Sequence, residues 1–249
     1  MEIIYGINPL AEALKLEPCR LVSLAVAGGR MKDALHTILN LAAAKRIPVE
    51  FKEKREIDKL AGYGMHQGVV GFYPSFDYSD LNQIMKRHHP EFLYHLVLLL
   101  DGITDPQNLG ALIRTAHCHG ADGVIIPEHR SAAVTAAVIK ASAGAALLTP
   151  VARVANLSRV MEDLKKQGFW IYGADTRTGQ NIHGMTCQGH IGLVMGSEGR
   201  GMRPLIRKQC DFLVSVPMFG KVDSLNVAVA AGIILNDIVR KWDHVEGVE

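Results

Sequence analysis

Three stretches of this chain carry residue types that do chemistry, and each follows an apolar run. The first is Asp101-Gly102-Ile103-Thr104-Asp105-Pro106-Gln107-Asn108-Leu109-Gly110, with Arg114 shortly after it. The second is Gly196-Ser197-Glu198-Gly199-Arg200-Gly201. The third is Val216-Pro217-Met218, followed by Ser224-Leu225-Asn226-Val227. An arginine can hold a phosphate or stabilise a forming oxyanion. A glutamate can take a proton or orient the arginine. Asparagine and serine can position a hydroxyl. The glycines let backbone N–H groups approach a ligand closely. Their spacing is G-x-x-G-x-G, which is not the dinucleotide pattern. Neither Gly-Lys-Ser nor Gly-Lys-Thr occurs, so no P-loop is present. Taken singly, each residue has an ordinary alternative. Asn108, Ser224 and Asn226 suit helix caps. Arg114 suits a solvated helix face, Glu198 a helix start, and the glycine loop a tight turn.

These stretches need a frame to bring them together, and the apolar pattern supplies one. Leu96–Leu100 is a continuous apolar run, as in a strand covered on both faces. Strands are also expected at Gly123–Pro127, Val151–Val154, Phe169–Gly173, Ile191–Met195 and Phe212–Val216. Helices are expected at Leu109–His119, Ala132–Ala146, Leu157–Gln167 and Leu225–Trp242. Such alternation predicts a parallel sheet with helices on both faces. In open α/β sheets, ligands sit beyond the carboxyl ends of the strands, and all three stretches fall at such ends. Residues 1–75 read as a separate small α/β domain. It has strands at Glu2–Tyr5, Leu21–Ala27, Val49–Phe51 and Val69–Tyr73. Its helices open at Asn8-Pro9, read as a cap and a first-turn proline, and at Lys32 and Arg55. The polar stretch from Pro74 through Lys86-Arg87-His88-His89-Pro90 reads as a linker, 76–91, with a short helix at Leu81–Met85. The second domain is then 92–249.

Composition excludes several classes. The chain has 249 residues, 48% of them hydrophobic and 21% charged, which excludes a disordered chain. The Leu96–Leu100 run is too short to span a bilayer, so no membrane partner is expected. The amino terminus lacks the basic start and long apolar stretch of a signal peptide. Cys19, Cys118, Cys187 and Cys210 show no CxxC spacing. They suggest reduced thiols in a cytoplasmic protein, with neither a disulfide framework nor a metal site. The net charge of +2 announces no partner by itself. Residues 1–75 hold ten Lys and Arg against eight Asp and Glu, and the rest balances. Lys52, Lys54, Arg55 and Lys59 cluster in this basic half, as on a solvated helix face or an RNA-reading surface. Lys86 and Arg87 are equally ambiguous.

The three stretches together resemble the signature motifs of the SpoU (TrmH-like) RNA 2′-O-methyltransferases of the SPOUT class, in order and in spacing. The resemblance extends over the whole chain. Ile4-Tyr5-Gly6-Ile7-Asn8-Pro9 and His66-Gln67-Gly68 resemble the small L30e-like substrate-binding domain of one branch. That branch includes enzymes that methylate guanosine of 23S rRNA, and the Leu99–Arg114 stretch is similar to theirs. The resemblance implies an α/β-knot domain whose carboxyl-terminal segment is threaded into a trefoil knot, a rare exception to unknotted chains. It implies S-adenosylmethionine held mainly by backbone groups at Gly196, Gly199, Val216, Pro217, Met218 and Leu225. It implies a homodimer with the site near the subunit interface, and no metal. Arg114 takes the central role, Glu198 orients it or takes the proton, and Asn108, Ser224 and Asn226 place arginine and ribose. A tRNA 2′-O-methyltransferase of the same family remains an alternative. So does a non-catalytic RNA-binding ribosome-assembly factor.

Overall fold

The computed structural model describes residues 1–29, 33–62, 64–177 and 180–243. The chain divides into two units. The first comprises Met1–Asp77 together with Val134–Leu148, and the second comprises Tyr78–Ala133 together with Thr149 onward.

The first unit runs β1 (Glu2–Tyr5), α1 (Ile7–Lys15), β2 (Ser23–Ala27), α2 (Asp33–Ala44), β3 (Val49–Lys52), α3 (Lys54–Leu60) and β4 (Val69–Tyr73). Its sheet has the order β1-β4-β2-β3. The β1–β4 and β4–β2 pairs are antiparallel and β2–β3 is parallel. Ile4, Leu10, Leu14, Leu24, Ile38 and Ile57 form buried apolar layers around it. Helix α1 begins earlier than Asn8 suggests. Gly6, at φ +98°, is its cap, and Asn8 and Pro9 lie inside its first turn. A glycine tolerates that backbone where an asparagine would be strained. The His66-Gln67-Gly68 triplet builds the turn into β4. The Nε2 of His66 lies 2.7 Å from Asp58 Oδ1, and its Nδ1 accepts from the Gly68 N–H at 3.0 Å. The Gln67 amide oxygen accepts from the Ile7 N–H at 3.1 Å and from Lys140 Nζ at 2.9 Å. The described part of α2 begins at Asp33, and the expected start at Lys32 lies outside the described residues.

The second unit runs α4 (Leu81–Lys86), β5 (Leu96–Asp101), α5 (Pro106–Cys118) and β6 (Gly123–Pro127). Next in the chain is α6 (Ala136–Ala141), which belongs to the first unit. Then follow β7 (Val151–Val154), α7 (Leu157–Lys166), β8 (Phe169–Ala174), β9 (His190–Gly196), α8 (Pro204–Gln209), β10 (Phe212–Val214) and α9 (Val227–Asp243). The sheet order is β10-β8-β9-β5-β6-β7, every pair parallel. β5 is buried along its whole length, as its unbroken apolar run predicts. The chain grows outward from β5 through β6 to β7, then crosses to β8 and returns to β9. The order therefore reverses between β5 and β9, where a crevice for ligands opens. From the edge strand β10 the chain returns to α9, which packs on α5.

Two expectations change here. The 76–91 stretch is not a bare connector. The Ser79 N–H donates to the Val151 carbonyl, Asp80 caps α4, and Ile84 is fully buried in the core with Val97, Leu99 and Ile125. The alanine-rich segment is also not one helix. It is the short α6 and a 3-10 turn at Ala145–Leu147, separated by Ala143 and Gly144 in the left-handed region.

Candidate active site

Asp105, not Asn108, caps α5. Its carboxylate accepts from the N–H groups of Gln107 and Asn108 at 3.1 and 3.2 Å, and Pro106 fits the first turn. The helix starts three residues before the expected Leu109. Asn108 is thereby released from capping and becomes a side chain of the first turn. Asn226 does cap. Its Oδ1 accepts from the Ala228 and Val229 N–H groups at 2.9 and 3.4 Å, opening α9. That fixes the amide orientation, because its NH2 must then point the other way. The Nδ2 donates to Asn108 Oδ1 at 2.8 Å and to Glu198 Oε1 at 2.7 Å. Glu198 Oε1 also accepts from the Val227 N–H at 3.4 Å. One residue from each of the three stretches thus meets at a single hydrogen-bonded junction, over the crevice between β5 and β9.

Beside this junction lies a cavity of roughly 370 Å³, within the size range of small-molecule sites. Met195, Val214, Ala230 and Ile234 give it apolar walls, and Gly196, Glu198 and Gly199 form one side. Val216, Met218, Ser224 and Leu225 also line it, whereas Pro217 does not. Two glycines have distinct reasons. A Cβ on Gly196 would sit 2.2 Å from the Met202 nitrogen. This glycine is needed because the loop folds back, with the Gly201 N–H donating to the Ser197 carbonyl at 2.8 Å. Gly199 has φ +77° and open space around its missing Cβ, so it leaves room beside the cavity.

Arg114 is not brought into the cavity. It is exposed on α5 and has no hydrogen bond or ion pair among the described residues. Six residues separate it from Asn108, which turns it about 120° around the helix and about 9 Å along it. The expected Glu198–Arg114 pairing is absent among the described residues, because Glu198 is engaged at the start of α9.

The structure adds two ion-pair anchors that motif reading passed over. Asp101 is buried at the carboxyl end of β5. It accepts from the Arg203 backbone N–H at 2.7 Å and from Arg203 Nε at 2.6 Å. Asp175 follows β8 and accepts from Arg177 and Arg207. Burial pushes its carboxyl upward, but the arginine hydrogen bonds outweigh that and hold it well below the usual range. An aspartate at the carboxyl end of an apolar strand was the available signal for both. Among the described residues, one His/Asp group has its ligand-type atoms within 4.8 Å of one another: His88, His95 and Asp122. It lies at the amino ends of the strands, away from the three stretches. The Asp122 oxygens are engaged by His95 Nδ1 and the backbone N–H groups of His89 and Leu96. No described helix is long and apolar enough to cross a membrane.

The SpoU rRNA Methylase family model matches residues 95–236, which include every residue of the junction. The chain belongs to the SpoU rRNA methylase family. A second model, the RNA 2′-O ribose methyltransferase substrate-binding region, matches residues 3–79. The 23S rRNA (guanosine-2′-O-)-methyltransferase RlmB of Pseudomonas putida is 41% identical over 244 residues, covering 97% of each chain. Among solved structures, the SpoU methyltransferase AviRb of Streptomyces viridochromogenes, in complex with AdoMet, superposes with TM-score 0.78 at 24% identity, covering 98% of this chain and 91% of its own. The AdoMet-bound rRNA methyltransferase of Sinorhizobium meliloti gives TM-score 0.76 at 23% identity, covering 96% and 87%. The fold is therefore that of the SpoU methyltransferases, the SPOUT α/β class that the motifs implied.

Proposed function

We propose that this SpoU family member transfers a methyl group from S-adenosylmethionine to the ribose 2′-hydroxyl of a guanosine in 23S rRNA, acting as a cytoplasmic homodimer. The observation that carries this reading is the Asn108–Asn226–Glu198 junction beside a glycine-edged cavity. Near full-length identity of 41% to RlmB supports the guanosine and the rRNA. The cavity suits the donor: apolar walls for an adenosine and methionine chain, backbone groups at Gly196 and Gly199, and Asp175, Asp223 and Arg177 at its polar side. When bound, the sulfonium supplies an already activated methyl, so the protein chiefly positions the reactants.

The hydroxyl must lose a proton, and charge developing on its oxygen must be stabilised. A guanidinium stays protonated in proteins. Arg114 therefore holds the target phosphate and offsets the oxygen's charge. Glu198 is the proton acceptor: Oε1 is tied to Asn226, and Oε2 has no partner among the described residues. Asn108 and Ser224 place the ribose, and Asn226 fixes Glu198. The homodimer reading rests on an apolar group around this site. Phe219, Val222, Leu225 and Val229 are exposed, against the usual burial of such residues. Helix α5, which carries Arg114, packs on α9, and Val229 of α9 is one of these exposed residues. The substrate-binding region at residues 3–79 is read as the RNA recogniser.

The test has two arms. Mass mapping of ribose methylation in 23S rRNA should show one guanosine losing its 2′-O-methyl group when the gene is deleted. Purified protein should methylate 23S rRNA transcripts and not stripped tRNA. Methylation of tRNA alone would move the substrate to tRNA, and no methylation of any RNA would leave a binding protein.

A further inference from the structure

The carboxyl edge of the second unit's sheet carries another hollow, on the far side of β5 from the methyl-donor cavity. Its volume is roughly 670 Å³, lying at the ends of β6 and β7 and the start of α8. Its lining includes His129, Arg130, Asn156, Arg203 and Leu205. Three features distinguish it from an ordinary surface dip. Arg130 has φ +60°, a conformation that a residue with a side chain rarely adopts. Such strain persists only where surrounding structure enforces it, and it concentrates at binding sites. The enforcing contacts are visible. The Ala132 N–H donates to the Ile103 carbonyl at 2.7 Å, and Ser131 Oγ donates to the same carbonyl at 3.2 Å. The Arg130 loop is thus tied to the first signature stretch. Second, Arg203 is held through Nε by the buried Asp101. Its terminal guanidinium nitrogens have no partner among the described residues. Arg130 is exposed and also has no partner among them. Third, Leu205 exposes 60% of its surface beside these cations, and His129 adds a flat ring. Two cations, an apolar face and a ring fit a phosphodiester with a base attached.

The hollow also stands in the right place. A carbon added to Gly102 would lie 3.9 Å from both the Arg130 carbonyl oxygen and Ser197 Cβ. The loop after β5 therefore separates the glycine-loop site from the hollow by one backbone width. A strand of RNA crossing Gly102 spans both.

We propose that this hollow binds a nucleotide flanking the target ribose, with its phosphodiester on Arg130 and Arg203 and its base on Leu205 and His129. This deepens the methyltransferase reading and rests on it. Binding of the flank would pay out as substrate affinity and register, not as chemistry.

The test uses the full-length protein and a 23S rRNA transcript that the wild type methylates. Arg130→Gly removes the cation and suits the positive φ, so the loop keeps its shape. Arg130→Lys keeps the charge. For Arg130→Gly the KM for RNA should rise about tenfold, since a charge-assisted hydrogen bond is lost. Its kcat and S-adenosylmethionine affinity should stay within about threefold. The salt dependence of RNA binding should flatten by about 0.7 in log–log slope, one phosphate contact on a single strand. Arg130→Lys should restore most of that slope, and both variants should melt with the wild type. Unchanged KM and slope in Arg130→Gly would overturn the proposal, as would a fall in kcat at constant KM. If the wild type methylates no RNA, the functional reading fails instead; Arg130→Gly then still reports on the hollow through its binding slope alone.

Discussion

At Gly199 the backbone sits at φ +77° with nothing around the missing side chain. A valine there meets two penalties. The left-handed conformation costs about 1–3 kcal/mol for a β-branched residue, and the added carbons occupy space beside the cavity. Gly199→Val should lose S-adenosylmethionine binding in a calorimetric titration while RNA binding persists; unchanged donor affinity would remove Gly199 from the site. Arg114 poses the opposite case. It is exposed, unpaired among the described residues and off the cavity lining, so its loss should leave fold and donor binding intact. Its charge acts most on the developing oxyanion, and removal of one such preorganised stabiliser costs roughly a hundred- to a thousandfold in rate. Arg114→Ala should show that drop in single-turnover methyl transfer at saturating donor. Arg114→Lys should fail nearly as badly, because an ammonium lacks the planar fork. A variant keeping more than about a tenth of the rate would make Arg114 structural, given that magnitude.

Among the elements, those with one dominant signal were legible in the residues. β5 announced itself as an unbroken apolar run, and α7, expected at Leu157–Gln167, spans Leu157–Lys166. The ends were harder, because several residues near each end can cap. Asn108 looked like a cap, yet Asp105 with Pro106 took that place; Asn226 looked like a cap and is one, while its other end closes the junction. The three stretches could be placed at strand ends, but which side chains touch depends on tertiary geometry. Nothing local reports that Glu198 faces Asn226 and not Arg114. Asp175 could be flagged by its place at a strand end, but its pairing could not, since its partner Arg207 lies 32 residues away on α8. It has a measurable consequence. A carboxyl held below its ordinary value of 3.8 binds its proton more weakly when folded than when unfolded. Its stabilisation is complete above that ordinary value and fades as pH falls through the lower folded value. Asp175→Asn should therefore lower the urea midpoint at pH 7, by about 1–3 kcal/mol of stability for charge-assisted hydrogen bonds. The deficit should shrink as the pH drops below about 4. An equal deficit at pH 7 and pH 2.5 would show that packing, not charge, is what Asp175 supplies.

For the whole molecule, the linear division into 1–75, 76–91 and 92–249 and the division of the folded chain differ in a way that can be tested by truncation. Two pieces of packing decide the outcome. Ile84 lies before residue 92, yet it is fully buried among Val97, Leu99, Ile125 and Ala152 of the second unit. Val138 and Ile139 lie after residue 92, yet they are buried in a segment that belongs to the first unit. A fragment starting at 92 thus loses a core side chain, and it also strands an apolar segment whose covering is gone. Removing a buried isoleucine costs about 2–5 kcal/mol, a large part of a typical domain's 5–15 kcal/mol. The 92–249 fragment should melt well below the full chain and tend to aggregate. A fragment starting at Tyr78 recovers α4 and Ile84 and should melt higher than the 92–249 fragment, though still below the full chain. In the intact protein, Ile84→Ala should reproduce the part of the loss that belongs to α4. The measurements are thermal melts followed by circular dichroism, with light scattering to detect aggregation. If the 92–249 fragment melts with the full chain, residues 78–91 are a connector after all, and the core role of Ile84 falls with them.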